Sequence, residues 1–96
     1  MSPTNKKKLN QIRIRLDKLD TELLKLIKKR SNLVNEVLKV KIHKKEIIDQ
    51  KRINFILKKI KKKSIQFNID TKITNRIWKN MIWSFIDYEK RNFKKK

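Results

Sequence analysis

Cysteine is absent from the 96 residues, which excludes a disulfide framework and any thiolate metal site. The single histidine, His43, cannot hold a metal alone and reads as a solvated loop residue, so no metal is expected. Glycine and alanine are missing as well, and the one proline is Pro3, so neither glycine nor proline stops a helix beyond it. No apolar run approaches the length of a membrane span, and the start Met1-Ser2-Pro3-Thr4 has no signal-peptide core. A soluble, cytoplasmic protein is expected. Acid is scarce too: 9 Asp and Glu against 29 Lys and Arg leave a net charge of +20.

That charge invites a nucleic-acid reading, because basic surface neutralises phosphate. A second explanation is stronger. The missing glycine and alanine, set beside abundant Lys, Ile, Asn and Phe, are the marks of coding drift in an AT-rich genome. The lysine clusters at 6–8, 61–63 and 94–96 are scattered rather than gathered on one face, so nucleic acid is not an expected partner. Self-repulsion among them should make the fold sensitive to salt.

Apolar residues recur at steps of three and four: Leu9, Ile12, Leu16, Leu19, Leu23 and Leu26, then Arg30, then Leu33, Val37 and Val40. This is one helical seam with a guanidinium inside it. A guanidinium facing a core is costly unless an anion meets it, so the seam implies a buried carboxylate or ligand. With Thr4 or Asn5 as cap, the helix runs to about Lys41, roughly 35 residues and about 50 Å. A compact chain of this size is only about 30–35 Å across. The stripe therefore needs a second chain, and an obligate homodimer is expected.

Two more helices follow a loop at 42–48. Asp49 caps the second, with Ile53, Ile56, Leu57 and Ile60 on its apolar face. After a connection at 64–68, Asp70 caps the third, which turns Ile73, Ile77, Trp78, Met81, Ile82, Phe85 and Ile86 inward. The next step of that stripe is Glu89, a second charge where an apolar residue belongs. No strand pattern competes. The fold class is all-α, a three-helix protomer with one long N-terminal helix in a homodimeric helical bundle. It forms a single domain over 1–96 with its core at about 9–90 and basic tails at 1–8 and 91–96.

Six arginines persist among the lysines and are candidates for bidentate work on carboxylates. Arg13, Arg30 and Arg52 sit near the proposed core. Lys41 is eleven residues after Arg30 and within about 20° of its face, so the two can converge on one ligand. Arg13 stands about 25 Å from Arg30 along the axis and can reach such a pocket only from a partner chain. Each residue also has a plainer reading. Arg30 can pair with Glu89, Lys41 can complement the helix dipole, Asp49 can only cap, Arg52 can be surface, and Glu89 can lie at the solvated edge of its stripe.

The run Leu16-Asp17-Lys18-Leu19-Asp20-Thr21-Glu22-Leu23-Leu24-Lys25-Leu26-Ile27-Lys28-Lys29-Arg30 closely resembles the first helix of the all-α chorismate mutases. The likeness continues through Val37 to Lys41, Asp49-Gln50-Lys51-Arg52, and Met81-Ile82-Trp83-Ser84-Phe85-Ile86-Asp87-Tyr88-Glu89, and so covers about residues 9–90. The resemblance implies two intertwined protomers with two sites at their junction. It implies that Arg30 and Arg13 of the partner chain hold the two carboxylates of chorismate, and that Lys41 meets the ether oxygen. Arg52 would assist at a carboxylate, Asp49 would help to orient the ring hydroxyl, and Glu89 would donate to the same ether oxygen. No cofactor is implied.

Two positions depart from the family. Ile53 stands where a glutamate usually binds the substrate hydroxyl, and Phe85 stands where serine is frequent. Both bear on recognition of the hydroxylated ring. The expected activity is a monofunctional chorismate mutase, with no fused second enzyme after residue 96. Its rivals are isochorismate pyruvate lyase on the same fold, and a basic helical dimer that binds nucleic acid or protein. A mutase dependent on docking to another pathway enzyme is a third.

Overall fold

The structure, a computed structural model, describes residues 1–94. Its elements are α1 (Pro3–Val40), a 3-10 turn (Lys44–Glu46), α2 (Gln50–Gln66) and α3 (Thr71–Asn92), with no strand among the described residues. The all-α class follows from the helical spacing as expected.

α1 is 38 residues long and starts earlier than Thr4 or Asn5. Ser2 is its cap: the Asn5 backbone N–H donates to Ser2 Oγ at 3.2 Å, and the Lys6 N–H to the Ser2 carbonyl at 2.9 Å. Pro3 then takes the first helical position, where a missing N–H is no loss. Residues 3–8 are therefore the opening turns of α1 rather than a tail, and Arg91 and Asn92 end α3. Of the last lysine cluster, Lys95 and Lys96 lie outside the described residues.

The chain divides into two compact units, Met1–Leu33 and the part from Val34 on. The first is a single helix, and every residue from 10 to 29 is exposed. Its stripe includes Leu16 at 52% exposure, Leu19 at 60%, Leu23 at 54% and Leu26 at 59%. One helix cannot cover its own apolar face.

The second unit has its own core: Ile47, Ile53, Ile82 and Ile86, with Ile56, Leu57 and Phe93 packed against it. Local capping brings these residues together. The Glu46 carboxylate accepts from the backbone N–H groups of Ile42 and His43 at 3.4 and 3.3 Å, closing the turn that seats Ile47. Asp49 caps α2 by accepting from the Arg52 N–H at 3.0 Å, and Asp70 caps α3 by accepting from the Lys72 N–H at 2.8 Å. Both caps are as the sequence suggests, and His43 is exposed.

The connection between α2 and α3 is shorter than the expected 64–68, because Ser64 belongs to the helix. Its hydroxyl donates to the Ile60 carbonyl at 2.6 Å and meets Thr74 Oγ1 at 2.7 Å, both residues being buried. α2 then ends on Asn68 at φ 54°, with Ile69 N–H donating to the Ser64 carbonyl and Asn68 N–H to the Ile65 carbonyl. This left-handed stop usually falls to glycine; asparagine, the common substitute, fills it in a chain that has none. With Thr74 pinned to Ser64, the buried seam of α3 runs through Thr74, Ile82, Ile86 and Glu89. Ile73 and Ile77, expected inside, are exposed, while Trp78, Met81 and Phe85 are half-buried.

The hydroxyl pair gives a direct test. Ser64→Ala and Thr74→Val should each lower stability by about 1–2 kcal/mol, since each leaves a buried polar partner with one bond fewer. The double variant, which removes both hydroxyls, should lose less than the sum. Strict additivity in urea unfolding would show that the two hydroxyls do not act together.

Candidate active site

Lys41 follows the last residue of α1, and its backbone N–H still donates to the Val37 carbonyl at 3.2 Å. Its direction is thus set by the helix. Glu89 is the C-terminal member of the buried seam of α3. Forty-eight residues apart, the two meet: Lys41 Nζ donates to Glu89 Oε1 at 3.1 Å, with side-chain exposures of 17% and 8%. Glu89 is therefore not a solvated edge residue, and Lys41 does more than complement a dipole.

The surroundings of this pair separate it from ordinary surface pairs. Lys25–Glu22 and Arg91–Asp87 are local contacts on one helix face, both well exposed, and worth about 0.2–1 kcal/mol at most. A pair as buried as Lys41–Glu89 gains little net stability, because desolvation offsets the attraction, and apolar side chains of similar volume would serve the fold as well. Beside it, the Tyr88 hydroxyl donates to Asn35 Oδ1 at 2.7 Å, a second tie between the end of α1 and α3. Sequence spacing gave no sign of that tie beyond the adjacency of Tyr88 to Glu89.

The other candidates lie as follows. Asp49 is exposed and spends Oδ1 on the α2 cap. Arg52, next along α2, is exposed, and Phe85 is half-buried one turn before Glu89 on α3. Ile53 is a core residue at 6% exposure, so the position that departs from the family pattern is used for packing. Arg30, half-buried, and Arg13, exposed, belong to the first unit. Among the described residues no group of His, Cys, Asp and Glu is placed to hold a metal ion, and no helix is long and apolar enough to cross a membrane.

An all-helical scaffold that buries an ammonium against a carboxyl suits a reaction in which charge develops on a bound molecule and must be met by fixed donors. The chain belongs to the chorismate mutase type II family, whose model it matches over residues 12–90. Searches of curated proteins and of solved structures found no match. The protein is an isomerase that rearranges chorismate to prephenate, on the route to phenylalanine and tyrosine. Arg13, Arg30, Lys41, Asp49, Arg52, Phe85 and Glu89 all fall within the matched stretch.

Proposed function

We propose that the site forms in a homodimer, with the carboxylates of chorismate held by Arg30 of one chain and Arg13 of its partner. Lys41 and Glu89 then serve the ether oxygen, Arg52 assists at a carboxylate, and Asp49 orients the ring hydroxyl near Phe85. The observation that carries the reading is the buried Lys41–Glu89 contact, which brings an ammonium and a carboxyl together at one sheltered point of the fold. The exposed stripe of α1 supports the dimer, since a contiguous apolar face of this size calls for cover.

The reaction is a concerted intramolecular rearrangement: the ether C–O bond breaks as a C–C bond forms, and negative charge gathers on the departing oxygen. No nucleophile or external proton is required by the overall balance. The arginines hold the reactive conformer, converting a floppy substrate into a near-attack geometry. Lys41 meets the developing charge. Glu89 assists only when protonated, because an ionised carboxylate repels an oxygen that is gaining charge. Substrate binding on this reading inserts the ether oxygen where Glu89 now meets Lys41.

Glu89→Ala should therefore lower kcat, because it removes one of the two groups assigned to the ether oxygen. Glu89→Gln, which keeps a donor of the same size in place, should retain more of the activity than Glu89→Ala. A kcat untouched by Glu89→Ala would remove Glu89 from the chemistry.

The reading as a whole is tested by following chorismate loss and prephenate formation with the purified protein, alongside isochorismate with salicylate as the product sought. The family match favours neither the lyase nor a nucleic-acid binder. Turnover of chorismate by a particle of twice the chain mass in light scattering is expected. A monomeric active enzyme would overturn the shared site.

A further inference from the structure

Phe55 lies on the outward face of α2, 55% exposed and outside the core. Two cations share its ring. The guanidinium carbon of Arg52, one turn before it, is 5.4 Å from the ring centroid, and Lys59 Nζ, one turn after it, is 5.8 Å away. Both distances are within the range of cation–π attraction. Burial does not account for an aromatic there; its contact with Arg52 does.

An exposed arginine samples many rotamers, and a substrate that uses it must oppose that freedom. Arg52 is restrained at both ends: its backbone N–H is fixed by the Asp49 cap, and its guanidinium is drawn onto the Phe55 ring. Arginine suits this position better than lysine, because its planar group can stack on a ring and still present N–H donors at its edge.

We infer that Phe55 is a positioning residue, which holds the Arg52 guanidinium ready for the anionic group of the substrate. Lys59 competes for the same ring and limits the hold. The inference rests on the assignment of Arg52 to substrate binding, and its specific content is that an aromatic side chain with no place in the core sets substrate affinity through its neighbour.

The test uses the whole 96-residue chain and two readouts. In proton–nitrogen NMR, the Arg52 Nε–Hε resonance should carry an upfield ring-current shift that Phe55→Leu abolishes and Phe55→Trp keeps. In steady-state kinetics, Phe55→Leu should raise KM for chorismate about two- to fivefold with kcat unchanged, as loss of an exposed cation–π contact implies. Phe55→Trp should restore KM, and Lys59→Ala should lower it. Circular dichroism on each variant checks that the exposed substitution leaves the helices intact. Absence of the ring-current shift in the native protein would overturn the stacking. A KM untouched by Phe55→Leu but raised by Arg52→Ala would overturn the positioning role alone. A KM untouched by Arg52→Ala would remove Arg52 from the substrate site and the inference with it, while leaving the ring-current shift in place.

Discussion

Lys41→Met should lower kcat by two to three orders of magnitude. On the proposed reading the ammonium is the donor that meets the ether oxygen, and removal of one such donor typically costs about 3–4 kcal/mol of transition-state stabilisation. The same change also leaves the Glu89 carboxylate buried without its partner, a defect worth about 3–5 kcal/mol of folding stability. The two effects separate in the double variant. Lys41→Met with Glu89→Gln leaves no orphaned carboxylate, so the urea midpoint should recover most of the loss while kcat stays low. Recovery of activity together with stability would show that Lys41 serves only the fold.

The second large effect is complementation between inactive chains. If the proposed shared site is right, Arg13→Ala and Arg30→Ala proteins should each be nearly inactive, because every site in either homodimer would lack one carboxylate clamp. In a heterodimer of the two, one site draws both arginines from intact positions and the other lacks both. Unfolding and refolding an equal mixture should return activity, approaching one competent site per heterodimer. Heterodimers verified by mass spectrometry that stay inactive would place both arginines in one chain's site. Arg30→Lys should not substitute for the native residue, since an ammonium keeps the charge but loses the two-pronged geometry that fixes a planar carboxylate.

What the sequence made legible was set by period and by short-range chemistry. The seam from Leu9 to Val40 announced α1, and Asp49 and Asp70 announced the starts of α2 and α3, because a capping side chain acts on backbone only two or three residues away. Thr4 and Asn5 are also cap-forming residue types, but Ser2 caps α1, with Pro3 directly after it at the first helical position. Contacts between elements were the hidden part. The apolar stripe of α3 is wide enough to fit two seams, and the structure chooses the one through Thr74, since its hydroxyl meets Ser64 across the elbow. Asn35 and Tyr88 likewise find each other over fifty-three residues with no local mark. Lys41 and Glu89 were each visible as a charge at the end of a helical stripe; that they meet is a property of how α3 returns to the end of α1.

The bare leucine stripe of the first unit, where residues 10 to 29 are all exposed, makes assembly a matter of supply. If that stripe finds its cover on a second copy, mass action governs the enzyme: each tenfold fall in chain concentration removes about 1.4 kcal/mol from the driving force for pairing. Below the dissociation constant the number of working sites falls with the square of the amount of chain present. Scarcity then silences the enzyme more steeply than it depletes it.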